Sequence, residues 1–149
     1  MAVAGSGGAP EGDLEAAERV GRALGGRGAV VVCGGLGGVM EAACRGAREA
    51  GGSTLGILPG FDRGDANPYV DLAVPTGLGE ARNALVVRAA DALIAVGGEW
   101  GTLSEIALAL RAGKRVVGLG TWELSRAGRP VEGIVAARDP EQAVELALG

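Results

Sequence analysis

The sequence predicts a doubly wound α/β domain with a mainly parallel sheet. Three observations carry that prediction. Short, mostly apolar runs at Met1–Ala4, Ala29–Cys33, Ser53–Leu58, Ala92–Val96 and Val116–Leu119 lack period-two alternation, so they read as strands covered on both faces. Stretches with helical periodicity separate them. Glycine clusters at Gly5–Gly8, Gly34–Gly38 and Gly97–Gly101 stand where strand gives way to helix.

In order, Met1–Ala4 is the first strand. Asp13 to Leu24 places Leu14, Ala17, Val20 and Leu24 on one helical face, and Gly25, Gly26 and Gly28 close the helix. Ala29–Cys33 is the second strand, and Gly34-Gly35-Leu36-Gly37-Gly38 is a long turn into a helix over Val39–Ala50. Ser53–Leu58 is the third strand, stopped by Pro59-Gly60. Phe61–Pro68 is rich in turn residues and reads as a loop. Leu72–Val74 is a short strand, and Pro75–Gly79 is a loop. Glu80–Ala90 is a helix with Ala81, Leu85 and Ala89 inward. Ala92–Val96 is a buried strand that breaks at Gly97, Gly98 and Gly101. From Thr102 the chain is helical, with Leu103, Ile106, Ala107 and Leu110 as its apolar face. Val116–Leu119 is a strand, and Thr121–Pro130 is a loop with Trp122 at the core edge. Ile134–Ala136 is a last short strand, and Asp139 caps a helix through Leu148. No linker or repeat interrupts the pattern, so residues 1–149 are read as one domain.

Composition narrows the function. Of the residues, 48% are hydrophobic and only 3% aromatic, so the chain is globular with a core of Val, Leu, Ile and Ala. A net charge of −4 without a basic run argues against nucleic acid as the main partner. The chain has no histidine, which removes His-based acid–base catalysis, Ser-His-Asp triads and His metal ligands; no metal site is expected. Cys33 and Cys44 lack a CxxC spacing and read as small buried thiols. No apolar run approaches the ~20 residues of a membrane span, and Met1-Ala-Val-Ala-Gly5 lacks the charged start of a signal peptide. A cytoplasmic protein without a membrane partner is expected.

The glycine turns point to a ligand. In a parallel sheet, turns at the carboxyl ends of strands share one rim, and helix N-termini there offer free N–H groups to an anion. The first turn is not a dinucleotide fingerprint. Counted from Gly35, the third glycine would fall at Met40, and Leu58-Pro59 occupies the place of the ribose-binding carboxylate. A Walker A loop is absent as well. Thr102-Leu-Ser-Glu105 reads as a capping box, with Thr102 and Glu105 satisfying each other's backbone N–H. The same position sets a carboxylate beside the rim, where it could orient a hydroxyl or act as acid or base. Arg82 opens a helix and is either a solvated surface cation or a phosphate clamp.

The segments Cys33-Gly-Gly-Leu-Gly-Gly-Val-Met-Glu-Ala42, the turn before Gly60, Arg82-Asn83 and Val96-Gly-Gly-Glu-Trp-Gly-Thr-Leu-Ser-Glu105 resemble, in order and over nearly the whole chain, one superfamily. It contains the Lonely Guy phosphoribohydrolases and the molybdenum cofactor carrier proteins, whose members are often misnamed lysine decarboxylases. The Arg-Asn pair and the longer glycine turn are nearer the carrier-like branch. The resemblance implies a Rossmann-like fold, a homodimer or homotetramer and a small phosphorylated ligand. That ligand is a nucleotide or a molybdopterin-type compound, and no cofactor is required beyond it. The hydrolase motif is PGGxGTxxE with an upstream arginine–lysine pair. By resemblance Arg82 takes the place of the catalytic arginine and Glu105 that of the final glutamate. Gly98, Gly101 and Thr102 match the phosphate loop. The rim residues expected to bind ligand are Gly5, Ser6, Gly34, Gly35, Gly37, Gly38, Met40, Asn83, Gly97, Gly98, Gly101 and Thr102. Gly97 stands in place of the proline, Glu99 in place of a glycine and Asn83 in place of the lysine. Glu99 adds negative charge beside a phosphate, so it and Asn83 favour a binder over a hydrolase. The alternatives are hydrolysis of the N-glycosidic bond of a nucleoside 5′-monophosphate, and a structural or regulatory oligomer with an empty rim.

Overall fold

A computed structural model describes all residues, 1–149. The strands that form the sheet are β1 (Ala2–Ala4), β2 (Val31–Cys33), β3 (Thr54–Leu58), β4 (Leu72–Pro75), β5 (Ala92–Val96), β6 (Arg115–Leu119) and β9 (Ile134–Ala136). The α-helices are α1 (Glu11–Gly26), α2 (Val39–Glu49), α3 (Asn83–Ala89), α4 (Trp100–Arg111) and α5 (Pro140–Leu148). The sheet has the order β4-β3-β2-β1-β5-β6-β9, and every pairing is parallel. From β1 the chain winds outward to β4, then crosses back and winds the other way from β5. The switch point therefore lies between β1 and β5, which pair through Ala4 and Ala95. This is the doubly wound, Rossmann-like fold that the buried strand runs predict.

Alternate residues of β5 feed two cores, one on each sheet face. Ile94 and Val96 join Val20, Leu24, Val39 and Val144 under α1, α2 and α5. Leu93 and Ala95 join Val86, Val87 and Ile106 under α3 and α4. Both faces of the central strands are covered, so no polar alternation survives in them.

Several local expectations are corrected. Glycines serve helix packing as well as turns. A Cβ on Gly21 would run into the carbonyl of Ala43, and one on Gly46 into the carbonyl of Glu18, so α1 and α2 touch backbone to backbone. The inward face of α3 is the opposite of the one expected. Ala81, Leu85 and Ala89 are exposed, while Arg82, Asn83, Val86 and Val87 are buried. On α4 the inward face is Thr102, Glu105, Ile106 and Ala109; Ala107 is exposed and Leu103 and Leu110 are half-buried. Alanine and leucine occur on both sides of these two helices, so hydrophobicity did not mark the core face. The region Thr121–Pro130 is not all loop: β7 (Ser125–Arg126) and β8 (Arg129–Pro130) form an antiparallel hairpin. Asp139 caps α5 as expected, accepting from the Gln142 N–H at 2.8 Å. No helix is long and apolar enough to cross a membrane.

Candidate functional site

The chain converges on a cleft of about 490 Å³ at the carboxyl rim, beside the switch point. It collects residues from five places: the loop after β1, the turn after β2 that leads into α2, Pro59 after β3, the 3₁₀ turn that runs into α3, and the first turns of α4. Of the expected site residues, Gly5, Ser6, Met40, Arg82, Asn83, Gly101, Thr102 and Glu105 line it. Gly34, Gly35, Gly37 and Gly38 do not; they form the turn behind it. Gly97 and Gly98 line an adjoining cleft.

Arg82 is the only cation lining the cleft, and it is 9% exposed. It ends a short 3₁₀ turn over Gly79–Arg82 that passes directly into α3, which aims it inward. Its Nη2 donates to the Gly34 carbonyl at 3.3 Å, and its Nη1 donates to Asn83 Oδ1. Asn83 Nδ2 donates to Ser104 Oγ at 3.0 Å, and Ser104 in turn donates to the Gly101 carbonyl at 2.7 Å. One chain of hydrogen bonds thus ties the first glycine turn to the second. Gly34 must be glycine, since a Cβ there would lie 2.5 Å from Arg82 Nη2 and 2.8 Å from Met40 Sδ. Arg82 Nε is buried without a partner. Such an orphan donor on a buried cation is costly unless a ligand or water meets it.

Glu105 faces the same cleft and is 7% exposed. The expected capping box does not form. Helix α4 begins at Trp100, with Glu99 at the cap position and no side-chain cap bond. Starting two residues early turns Thr102 and Glu105 from cap residues into inward-facing ones. Burial pushes the Glu105 carboxyl up to about 7, and the Arg82 charge opposes that rise. Burial also lowers the affinity of Arg82 for its proton, while Glu105 counteracts it. No direct ion pair joins the two, and Arg82 takes part in none of the chain's salt bridges. At neutral pH Glu105 is thus poised between acid and carboxylate, within the field of a fixed cation.

The N–H groups of Trp100, Gly101 and Thr102 have no backbone partner. They form the positive end of α4 at the cleft. Three contributors escaped the sequence. Ser104 relays Asn83 to the second turn. Asn67, 8% exposed, donates from Nδ2 to the Leu36 carbonyl at 2.9 Å, and its own N–H donates to the Gly35 carbonyl at 2.9 Å, bracing the first turn. Trp100 is 76% exposed at the lip. Ser104 and Trp100 lay inside a quoted motif without being singled out; nothing near Asn67 in the sequence marks it. Cys33 and Cys44 are buried, as expected, with their sulfurs 3.5 Å apart.

Fold and cleft together define the class. The chain is a member of the superfamily of Lonely Guy proteins and molybdenum cofactor carriers, on the carrier-like side. More narrowly, a family model matches residues 1–144, and the chain belongs to the SLOG cluster4 family. The molybdenum cofactor binding protein of the phototrophic bacterium Rippkaea orientalis is 35% identical, with a TM-score of 0.85 covering 97% of this chain and 91% of that one. A Moco carrier protein of Chlamydomonas reinhardtii is 37% identical, with a TM-score of 0.84 over 97% and 91% of the two chains. An uncharacterized protein of Archaeoglobus fulgidus is 40% identical over 148 residues, covering 99% of this chain and 93% of that protein.

Proposed function

We propose that the cleft binds and carries a phosphorylated ligand of the nucleotide or pterin-nucleotide kind, with a molybdopterin-type compound as the cargo, in the cytoplasm. One observation carries this reading: three unpartnered N–H groups at the start of α4 and the buried Arg82 line a single cleft beside the switch point. A phosphate meets both the helix terminus and a fixed guanidinium there. Arg82 supplies the fixed positive charge for the anion, Asn83 fixes the guanidinium, and Gly5, Ser6, Met40, Gly101 and Thr102 shape the contact surface. The carrier proteins named above support the cargo class. Native mass spectrometry of freshly purified protein tests it. A co-purifying phosphorylated adduct is the expected result. A bare chain that also gives no calorimetric heat with nucleotides or pterin phosphates would overturn it.

A second reading has its own support in Glu105, a buried carboxyl held near neutral pH beside Arg82. There the protein hydrolyses the N-glycosidic bond of a nucleoside 5′-monophosphate. Arg82 holds the phosphate, and Glu105 stabilises positive charge developing on the ribose. Glu99 and Asn83 weigh against it, so adenine release from AMP by the wild-type protein should be weak or absent. Robust turnover that Glu105→Gln abolishes would put this reading first. Assembly into a homodimer or homotetramer belongs to both readings, and the exposed outer face of α3 around Leu85 and Ala89 is the surface proposed for it.

A further inference from the structure

A second cleft of about 450 Å³ adjoins the first across Ser6 and Glu99, which line both. It lies at the carboxyl ends of β1 and β5 against the amino end of α1, the helix end that holds a ligand phosphate in many doubly wound folds. Here a carboxylate stands in that place. Asp13, in the first turn of α1, packs so closely on Gly97 that a Cβ there would meet its Oδ2. Asp13 and Glu99 both line this lobe, neither is in an ion pair, and Glu99 makes no cap bond. No cation lines this lobe to offset them, so the two carboxylates repel phosphate and attract N–H donors. Trp122 lines the same lobe. Its indole Nε1 donates to the Glu99 carbonyl at 3.3 Å, and its ring leans on Trp100 with centroids 5.2 Å apart. The chain has two tryptophans, and they meet here: Trp122 lines this lobe and Trp100 lines the first cleft. A lobe lined by free acceptors and a pinned aromatic fits a flat, donor-edged ring better than an anion.

We propose that this lobe recognises a 2-amino-4-oxopyrimidine ring, as found in guanine and in pterins. Asp13 accepts the adjacent ring N–H and exocyclic NH₂ of that edge, and Trp122 is the stacking wall. The inference rests on the reading of the first cleft as the phosphate site, and it adds which ring the ligand carries and where that ring lies. Adenine offers a lone pair where guanine offers its ring N–H, so it would face Asp13 acceptor to acceptor. A two-donor pair of this kind discriminates by about tenfold to a hundredfold.

The test is equilibrium titration of the intact protein, followed by tryptophan emission, with GMP, 6-hydroxymethylpterin monophosphate and AMP, each with and without competing inorganic phosphate. The expected result is quenching, at least about tenfold tighter binding of GMP or the pterin phosphate than of AMP, and competition by phosphate. Whichever of the two preferred ligands binds tighter names the source of the ring. Asp13→Asn should erase the preference while leaving phosphate competition unchanged, and Glu99→Gln should keep it; thermal melts check that both variants fold. Equal affinity for GMP and AMP, a preference that survives Asp13→Asn, or its loss on Glu99→Gln instead overturns the assignment to Asp13 and leaves the phosphate site standing. No binding of any of the three ligands overturns both this inference and the proposed function.

Discussion

Arg82 donates through Nη2 to the main-chain carbonyl of Gly34, 48 residues away in sequence, at 3.3 Å. That contact brings the one buried cation of the cleft onto the first glycine turn. It also explains why the turn begins with glycine, since any side chain at 34 would occupy the space of the guanidinium.

Gly34→Ala should therefore damage binding as well as folding. The added methyl forces Arg82 out of its pocket, at an overpacking cost of about 1–3 kcal/mol. Calorimetry with the bound phosphorylated ligand should show affinity falling by about tenfold or more, while the melting curve stays cooperative.

Asn83→Ala removes the acceptor of Arg82 Nη1 and the donor to Ser104. Leaving a buried charge short of a partner costs about 1–3 kcal/mol. Ser104→Ala, which breaks only the outer link, should cost less. Urea melts of the two variants rank them; equal losses would mean that the Arg82–Asn83 bond adds nothing beyond the link to Ser104.

The Glu105 carboxyl is raised from an ordinary 4.5 to about 7. In that window the native protein keeps a proton that the unfolded chain has lost, so stability falls as pH rises from 4.5 to 7 and levels off above it. Glu105→Gln removes the titration. Its melting temperature should exceed that of the wild type near pH 8, by the equivalent of at most about 3 kcal/mol, and the two should converge near pH 5. A wild type that melts higher than the variant at alkaline pH would reveal an ionic partner for Glu105.

Gly21→Ala sets two effects against each other. Helix propensity favours alanine by about 1 kcal/mol. The new methyl strikes the rigid carbonyl of Ala43, where overpacking costs about 1–3 kcal/mol or more because no flexible side chain can yield. Sterics should win, and a lowered midpoint in chemical denaturation would show it. An unchanged or raised midpoint would mean that α1 and α2 can separate freely.

Leu85 is 41% exposed on the outer face of α3. If that face joins subunits, light scattering should find a dimer or tetramer for the wild type and a monomer for Leu85→Asp, without a change in helical content. A monomeric wild type at micromolar concentration would sink this.

The strands, the order of elements and the ends of several helices were legible in the sequence because their causes are local. A strand covered on both faces is apolar throughout, as β5 is. Asp139 caps α5 through a neighbour three residues away. The glycine turns mark strand ends because helix starts and close packing demand them. What only the tertiary structure decided is which faces of α3 and α4 look inward, and therefore what Arg82 and Glu105 are. Local pattern offered Thr102 and Glu105 as a capping pair and left Arg82 as either a solvated cation or a phosphate clamp. The fold starts α4 at Trp100 and seats Arg82 against Gly34, with Asn83 bonded to Ser104, 21 residues on, and Asn67 bracing the first turn from across a loop. Those partners are distant in the chain, so nothing in a short window encodes them. The burial that lifts the Glu105 carboxyl exists only once the sheet and both helices have closed over it.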